Sequence, residues 1–153
     1  MADESDLELW AAIYDVFGPG LKLIKPEPDM DETCGFMTRY LLRCIHENVQ
    51  DDDSDVPSGY QAAWDLAACL KHWAGKLPET QPVLIEAASR ITDAYRAADD
   101  AERDRLLNGT LEHVLEAGVV RPYFDAWRDD PVLGEPWRLA MEWAVAHGDA
   151  AAR

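Results

Sequence analysis

The sequence predicts an all-α fold, a single domain of six to seven helices covering residues 1–153. Three observations predict it. Apolar residues recur at three- and four-residue intervals along most of the chain, as helices with one buried face require. Proline and glycine fall at the boundaries of these segments and seldom inside them. No long alternating run of β-branched residues is present to supply a strand. At 153 residues one domain is the expectation, and a chain of this size buries roughly 70% of its unfolded surface without needing a disulfide or structural metal.

The elements follow in order. Ser5-x-x-Glu8 has capping-box spacing, and Leu7, Trp10, Tyr14 and Phe17 continue at helical intervals until Gly18-Pro19-Gly20 stops the helix. Leu21 to Ile24 is a short apolar stretch closed by Pro26-Glu27-Pro28. A second helix is expected from near Thr33 to about Gln50, with Met37, Leu41, Cys44, Ile45 and Asn48 or Val49 inward and Phe36 and Tyr40 beside them. The cluster Asp51-Asp52-Asp53-Ser54-Asp55 breaks the pattern, because adjacent carboxylates repel and small polar residues favour turns.

Pro57 suits the first position of a third helix running to about Leu77. It carries one stripe of Tyr60, Ala63, Ala67, Leu70, Ala74 and Leu77 and another of Ala62, Leu66, Cys69 and Trp73, so it is expected at the centre of the bundle. The fourth helix presents Leu84, Ala88, Ile91 and Tyr95 and ends near Ala98. Asp99-x-x-Glu102 caps a fifth, with Leu106, Leu107, Leu111, Val114 and Leu115 inward and Gly118 as its C′ residue. Gly109 inside that helix costs about 1 kcal/mol relative to alanine, which points to a close helix crossing there. Tyr123, Phe124 and Trp127 mark a short helix after Pro122, and Trp137, Ala140, Met141 and Ala144 a last one from Pro136.

Charge narrows the function. The chain holds 30 Asp and Glu against 14 Lys and Arg, a formal net charge of −16. A nucleic-acid binder needs a basic surface, so a nucleic-acid role is excluded as an expectation. The longest apolar run, Trp10 to Tyr14, is far short of the ~20 residues that span a bilayer, so no membrane association is expected. Cys34, Cys44 and Cys69 are odd in number and lie in helical sequence, and the N-terminus is acidic rather than basic. Reduced thiols in a cytoplasmic protein are the expectation.

Constellations that carry chemistry are incomplete. An EF-hand loop beginning at Asp51 finds oxygen ligands at Asp51, Asp53 and Asp55, but Val56 stands where the turn needs glycine and Ala62 where a bidentate glutamate is needed. His46, His72, His113 and His147 are preceded at the third position by Arg43, Cys69, Thr110 and Ala144, so no Glu-x-x-His pair exists for a bundle metal centre. Cys69 and His72 share a helix face at i, i+3, and such a pair can activate a thiol. Asp65, on the same face, lies about 10.5 Å along the axis from His72, too far to orient the imidazole. The six tryptophans fit helical stripes or their margins and are expected in the core, with some at an interface. No catalytic residue, metal ligand or cofactor is assigned.

The acidity is uneven: residues 1–56 hold 14 acids against Lys22, Lys25, Arg39 and Arg43. The loops near 25–33 and 51–56 place Asp29, Asp31, Glu32, Asp51, Asp52, Asp53 and Asp55 where they can merge into one negative face for a basic protein partner, the alternative being acidity that serves solubility alone. In size, charge and helicity the chain resembles bacterial toxin-immunity proteins, a resemblance that implies inhibition of a basic toxin such as a nuclease. The reading is therefore a non-enzymatic acidic binding protein. The alternatives are a small helical enzyme or thiol sensor using Cys69 and His72, and a structural homodimer joined through Trp-containing helices.

Overall fold

The computed structural model describes residues 30–48 and 58–147, with side chains described from residue 34 onward. The expected helix from Ser5 to Phe17, the segment Leu21 to Ile24 and the acidic loop 51–56 lie outside the described residues. Six α-helices are present among the described residues: α1 (Met30–Glu47), α2 (Gly59–Ala74), α3 (Gln81–Ala97), α4 (Asp100–Arg105), α5 (Glu112–Val114) and α6 (Gly134–His147). A π-helical segment, Leu106–Leu111, joins α4 to α5, and a 3-10 helix, Arg121–Trp127, precedes α6. No described residue is in a strand. The architecture is the all-α bundle the periodicity predicts.

Helix α1 buries Cys34, Met37, Tyr40, Leu41, Cys44 and Ile45. It ends earlier than the apolar pattern implies because Asn48 adopts φ 49°. Asparagine tolerates this left-handed conformation, and its N–H donates back to the Cys44 carbonyl at 2.9 Å, closing the helix. Helix α2 starts at Gly59 because the Ser58 hydroxyl accepts from the Gln61 N–H at 3.3 Å. It buries Ala62, Ala63, Leu66, Ala67, Cys69, Leu70 and Trp73 on more than one side and packs against α1, α3, α4, the π segment and α5. It is the central helix. Tyr60, assigned to its inner stripe by periodicity, is exposed instead.

Helix α3 buries Val83, Leu84, Ala87, Ala88, Ile91 and Tyr95. The Thr80 hydroxyl before it donates to the Trp73 carbonyl, tying its start to the end of α2. At α4, the Asp99 carboxylate accepts from the Glu102 N–H at 2.9 Å, one half of the expected capping box. The other half is diverted: the Glu102 carboxylate pairs at 2.6 Å with Nδ1 of His46, on α1. Beside it the buried Arg105 donates from Nε to the Ile45 carbonyl at 2.9 Å, which satisfies an otherwise open carbonyl at the end of α1.

The chain from Asp100 to Val114 is interrupted by the π turn, where the backbone widens. Gly109 and Thr110 face α2 there, and the Thr110 hydroxyl donates to the Ala63 carbonyl at 2.8 Å. The close crossing expected at Gly109 is present: a Cβ on this residue would lie 2.5 Å from the Ala63 Cβ. The helix ends at Val114, ahead of the expected glycine stop at Gly118, and Arg121 donates from Nε to the Leu115 carbonyl at 2.7 Å. Phe124 and Trp127 plug the far end of the core. The Trp127 indole donates to the Thr92 hydroxyl on α3 at 2.8 Å.

Candidate protein-interaction surface

Two of the tryptophans face outward. Trp64 on α2 is 54% exposed and Trp143 on α6 is 41% exposed, with Tyr60 one turn before Trp64 at 45%. Burying a tryptophan is the ordinary outcome for a ring of this size, and Trp73 and Trp127 follow it. Trp10 lies outside the described residues.

The outward rings are held by what lies beneath them. The Gly109 crossing brings the π segment onto α2, and a Cβ on Gly109 would be 3.4 Å from Cδ1 of Trp64. Immediately after, α5 presents His113 edge-on to Trp64, with ring centroids 6.3 Å apart and planes at 84°. His113 is itself positioned by Glu116, whose carboxylate lies 3.2 Å from Nδ1 and also accepts from Lys71 on α2 at 3.2 Å. On α6, the imidazole of His147 stacks on Trp143 at 3.8 Å and 19°. His147 lies 3.0 Å from the Trp143 carbonyl through Nδ1. A carbonyl can only accept, so Nδ1 carries the proton and the stack is locked.

Glu112 precedes His113 at the start of α5. It is half-buried and interacts electrostatically with both His113 and His147. Loss of solvent around the carboxylate raises its pKa above the ordinary value, an effect the two histidines oppose. Its side chain makes no hydrogen bond or ion pair among the described residues. Glu116 pairs with Lys71, and on α6 both Glu135 and Glu142 pair with Arg138. Among the described residues two indoles and a tyrosine are thus exposed.

A comparison with protein-family models, curated proteins and solved structures finds no match to this chain. The chemistry of the surface therefore has to be read from its own residues.

The side chains of the acidic residues expected to form the binding face lie outside what the structure describes. Asp29, Asp51, Asp52, Asp53 and Asp55 lie outside the described residues, and Asp31 and Glu32 occupy the first turn of α1 without described side chains. The thiol pair is described, and its surroundings disfavour the thiolate. Cys69 is buried at 1% exposure, and burial first, then the nearby Asp65 and Cys34, pushes its thiol pKa up. His72 is depressed by desolvation and by Lys76, and its Nε2 is buried without a hydrogen-bond partner. Cys69 is thus kept as a thiol, whereas a nucleophile needs the thiolate. Asp65 donates no help to His72; its Oδ1 accepts from Gln61 at 3.0 Å and its Oδ2 is buried and unpaired.

A second concavity, of about 580 Å³, runs between α1 and α3 over Leu42, Ala94 and Ala97. Its charges are largely paired internally: Arg43 with Glu47 at 3.0 Å, His46 with Glu102 at 2.6 Å, and Arg90 with Glu86 at 2.9 Å. Neither Cys69 nor His72 lines it. Among the described residues no group of three His, Cys, Asp or Glu is arranged to hold a metal ion, and no helix is long and apolar enough to cross a membrane.

Helical periodicity alone gives all six tryptophans the same expected place in the core and does not single out Trp64 and Trp143. A signal was present. Trp64 falls outside both apolar stripes of α2, and Trp143 outside the set Trp137, Ala140, Met141 and Ala144 on α6. A tryptophan off the buried stripe of an amphipathic helix has to face outward.

Proposed function

We propose that this chain is a non-enzymatic binding protein that engages a basic protein partner, with immunity-type inhibition of a cationic toxin as its most concrete form. One observation carries the reading: Trp64 and Trp143 are both exposed, each with a histidine ring against it, on a chain of net charge −16. Tryptophan is the side chain most often found as a binding hot spot, because it removes a large apolar area from water at little entropic cost. The net charge adds long-range attraction for a basic partner and rejects nucleic acid. Burial of all three thiols supports a binding role over a thiol-sensing one.

The test is affinity capture from the source cell's lysate at low salt, with wild-type protein and the Trp64→Ala/Trp143→Ala variant in parallel. The expected result is a basic protein retained by the wild type and lost from the variant, which keeps its helical circular dichroism. An acidic partner, or a partner held equally by the variant, would remove the reading.

A further inference from the structure

Helix α1 has cover on every side. All residues from Cys34 to Ile45 are buried or half-buried, and successive positions turn by about 100°, so this run looks out in every direction around the axis. A helix at the edge of a bundle leaves one face to water instead. The described neighbours of α1 are α2 and α3, with α4 at its C-terminal end through His46–Glu102 and Arg105–Ile45. Two flanking helices do not enclose a third, so a further segment belongs against α1.

The groove of about 580 Å³ between α1 and α3 is a seat for it. Its floor is Leu42, Ala94 and Ala97, small enough in the main to admit large side chains from above. Its rim carries Arg39 and Arg43 on α1 and Arg90 on α3. Arg43 and Arg90 each hold a carboxylate of their own helix through Nε, at 3.0 and 2.9 Å. A guanidinium has five N–H donors, so one such bond does not exhaust it. The occupant that fits is amphipathic, with bulky apolar residues on one face and acids beside them.

The chain itself holds such a segment outside the described residues. Residues 49–57 and 148–153 have no aromatic side chain, and Val49 and Val56 are their largest apolar residues after proline is set aside. Residues 1–17 carry Leu7, Trp10, Tyr14 and Phe17 on one helical stripe, together with five acids and no lysine or arginine. The connection is long enough. Gly18 to Asp29 can span up to about 40 Å, and the groove residues Arg39 to Glu47 lie about 14 to 26 Å along α1 from Met30.

We infer that residues 5–17 form a helix that lies in the α1–α3 groove of the same chain. Its apolar stripe rests on Leu42, Ala94 and Ala97, and its acids face Arg39, Arg43 and Arg90. The acids of this segment then act within the chain, and the long-range attraction for a basic partner comes from the others.

The experiment uses the full chain with Tyr14→p-benzoylphenylalanine, a photo-cross-linking side chain, and mass spectrometry of the cross-linked monomer. The expected products join position 14 to α1 between Arg39 and His46 or to α3 between Arg90 and Ala97. Cross-links to the Tyr60 and Trp64 surface, or only between two copies, would overturn the inference. Amide hydrogen exchange gives a second reading without the probe. Residues 9–17 should be protected in the wild type, and Arg39→Glu/Arg43→Glu should speed their exchange about ten-fold, the scale of a lost charge-assisted hydrogen bond. The amides of α6 report that the bundle of the variant is still folded. Unprotected residues 9–17 in the wild type, or protection untouched by the charge reversal, would equally remove the docked helix.

Discussion

The Ala63 Cβ lies 2.5 Å from where a Cβ on Gly109 would sit, and that approach sets the contact between the central helix and the π segment. Gly109→Ala ordinarily improves a helix by about 1 kcal/mol. Here the added methyl meets the Ala63 methyl on a backbone further held by the Thr110–Ala63 hydrogen bond. Overpacking of this kind costs about 1–3 kcal/mol and outweighs the propensity gain. The expected outcome in urea denaturation is a lower midpoint for Gly109→Ala, with partial recovery when Ala63→Gly is added. A more stable Gly109→Ala protein would show that the crossing yields without strain.

That crossing was legible in sequence because a glycine in a helical apolar pattern is costly and needs a reason. The π turn around it was not. Leu106 to Leu111 contains nothing that distinguishes an i→i+5 turn from an i→i+4 turn, and the widening follows from packing on α2, a long-range cause. Asn48 departs from the pattern for a related reason: it stands in register with the inner stripe of α1, while its ability to take a left-handed φ is what ends the helix. Glu102 was read as half of a local capping box, yet its carboxylate finds His46, a residue brought near only by the fold. The inner faces of α2 and α3 were legible because periodicity alone determines them. The outward tryptophans are readable only as departures from those stripes.

Asp65 predicts a pH dependence of stability. Burial raises its pKa from an ordinary value near 4 to about 7 in the folded chain. Between these values the folded state holds a proton that the unfolded state has released, so stability falls as pH rises from about 4 to about 7 and is level above. At 1.4 kcal/mol per unit the loss is at most about 4 kcal/mol. Asp130 has the opposite sign, depressed to about 2 by Arg96 and by the Val132 and Leu133 N–H groups, and its contribution disappears below about pH 4, outside this window. Urea midpoints measured from pH 4 to 8 should decline for the wild type and be flatter for Asp65→Asn, which keeps the shape without the charge. Parallel slopes for the two proteins would show that Asp65 is not the cause.

Cys34, Cys44 and Cys69 are all buried, and burial pushes Cys44 up to about 11 and Cys69 up as well. Thiolate is the reactive species, so at neutral pH these thiols should ignore a disulfide reagent in the native protein and all react once denaturant is added. Mass spectrometry of the labelled chain assigns each site. Rapid selective labelling of Cys69 in the folded protein would bring back the thiol-sensor alternative.

The acidic segments and the tryptophans should affect partner binding through different rate constants. Asp51, Asp52, Asp53 and Asp55 carry four of the chain's 30 acids within five residues, and their attraction for a basic partner acts before contact. Converting all four to asparagine should slow association and reduce its dependence on salt, leaving dissociation nearly unchanged. Trp64 and Trp143 act only once the surfaces touch, so Trp64→Ala and Trp143→Ala should accelerate dissociation and leave the salt dependence of association intact. Stopped-flow or surface-based kinetics at several salt concentrations with the captured partner resolve the two effects. If the acidic variant also dissociates faster, by about ten-fold or more, those aspartates sit inside the contact, where a direct charge pair is worth that much. If it associates as fast as the wild type at every salt concentration, the acidity of residues 51–55 serves dispersal of the protein alone, and the contact is made by the exposed tryptophans instead.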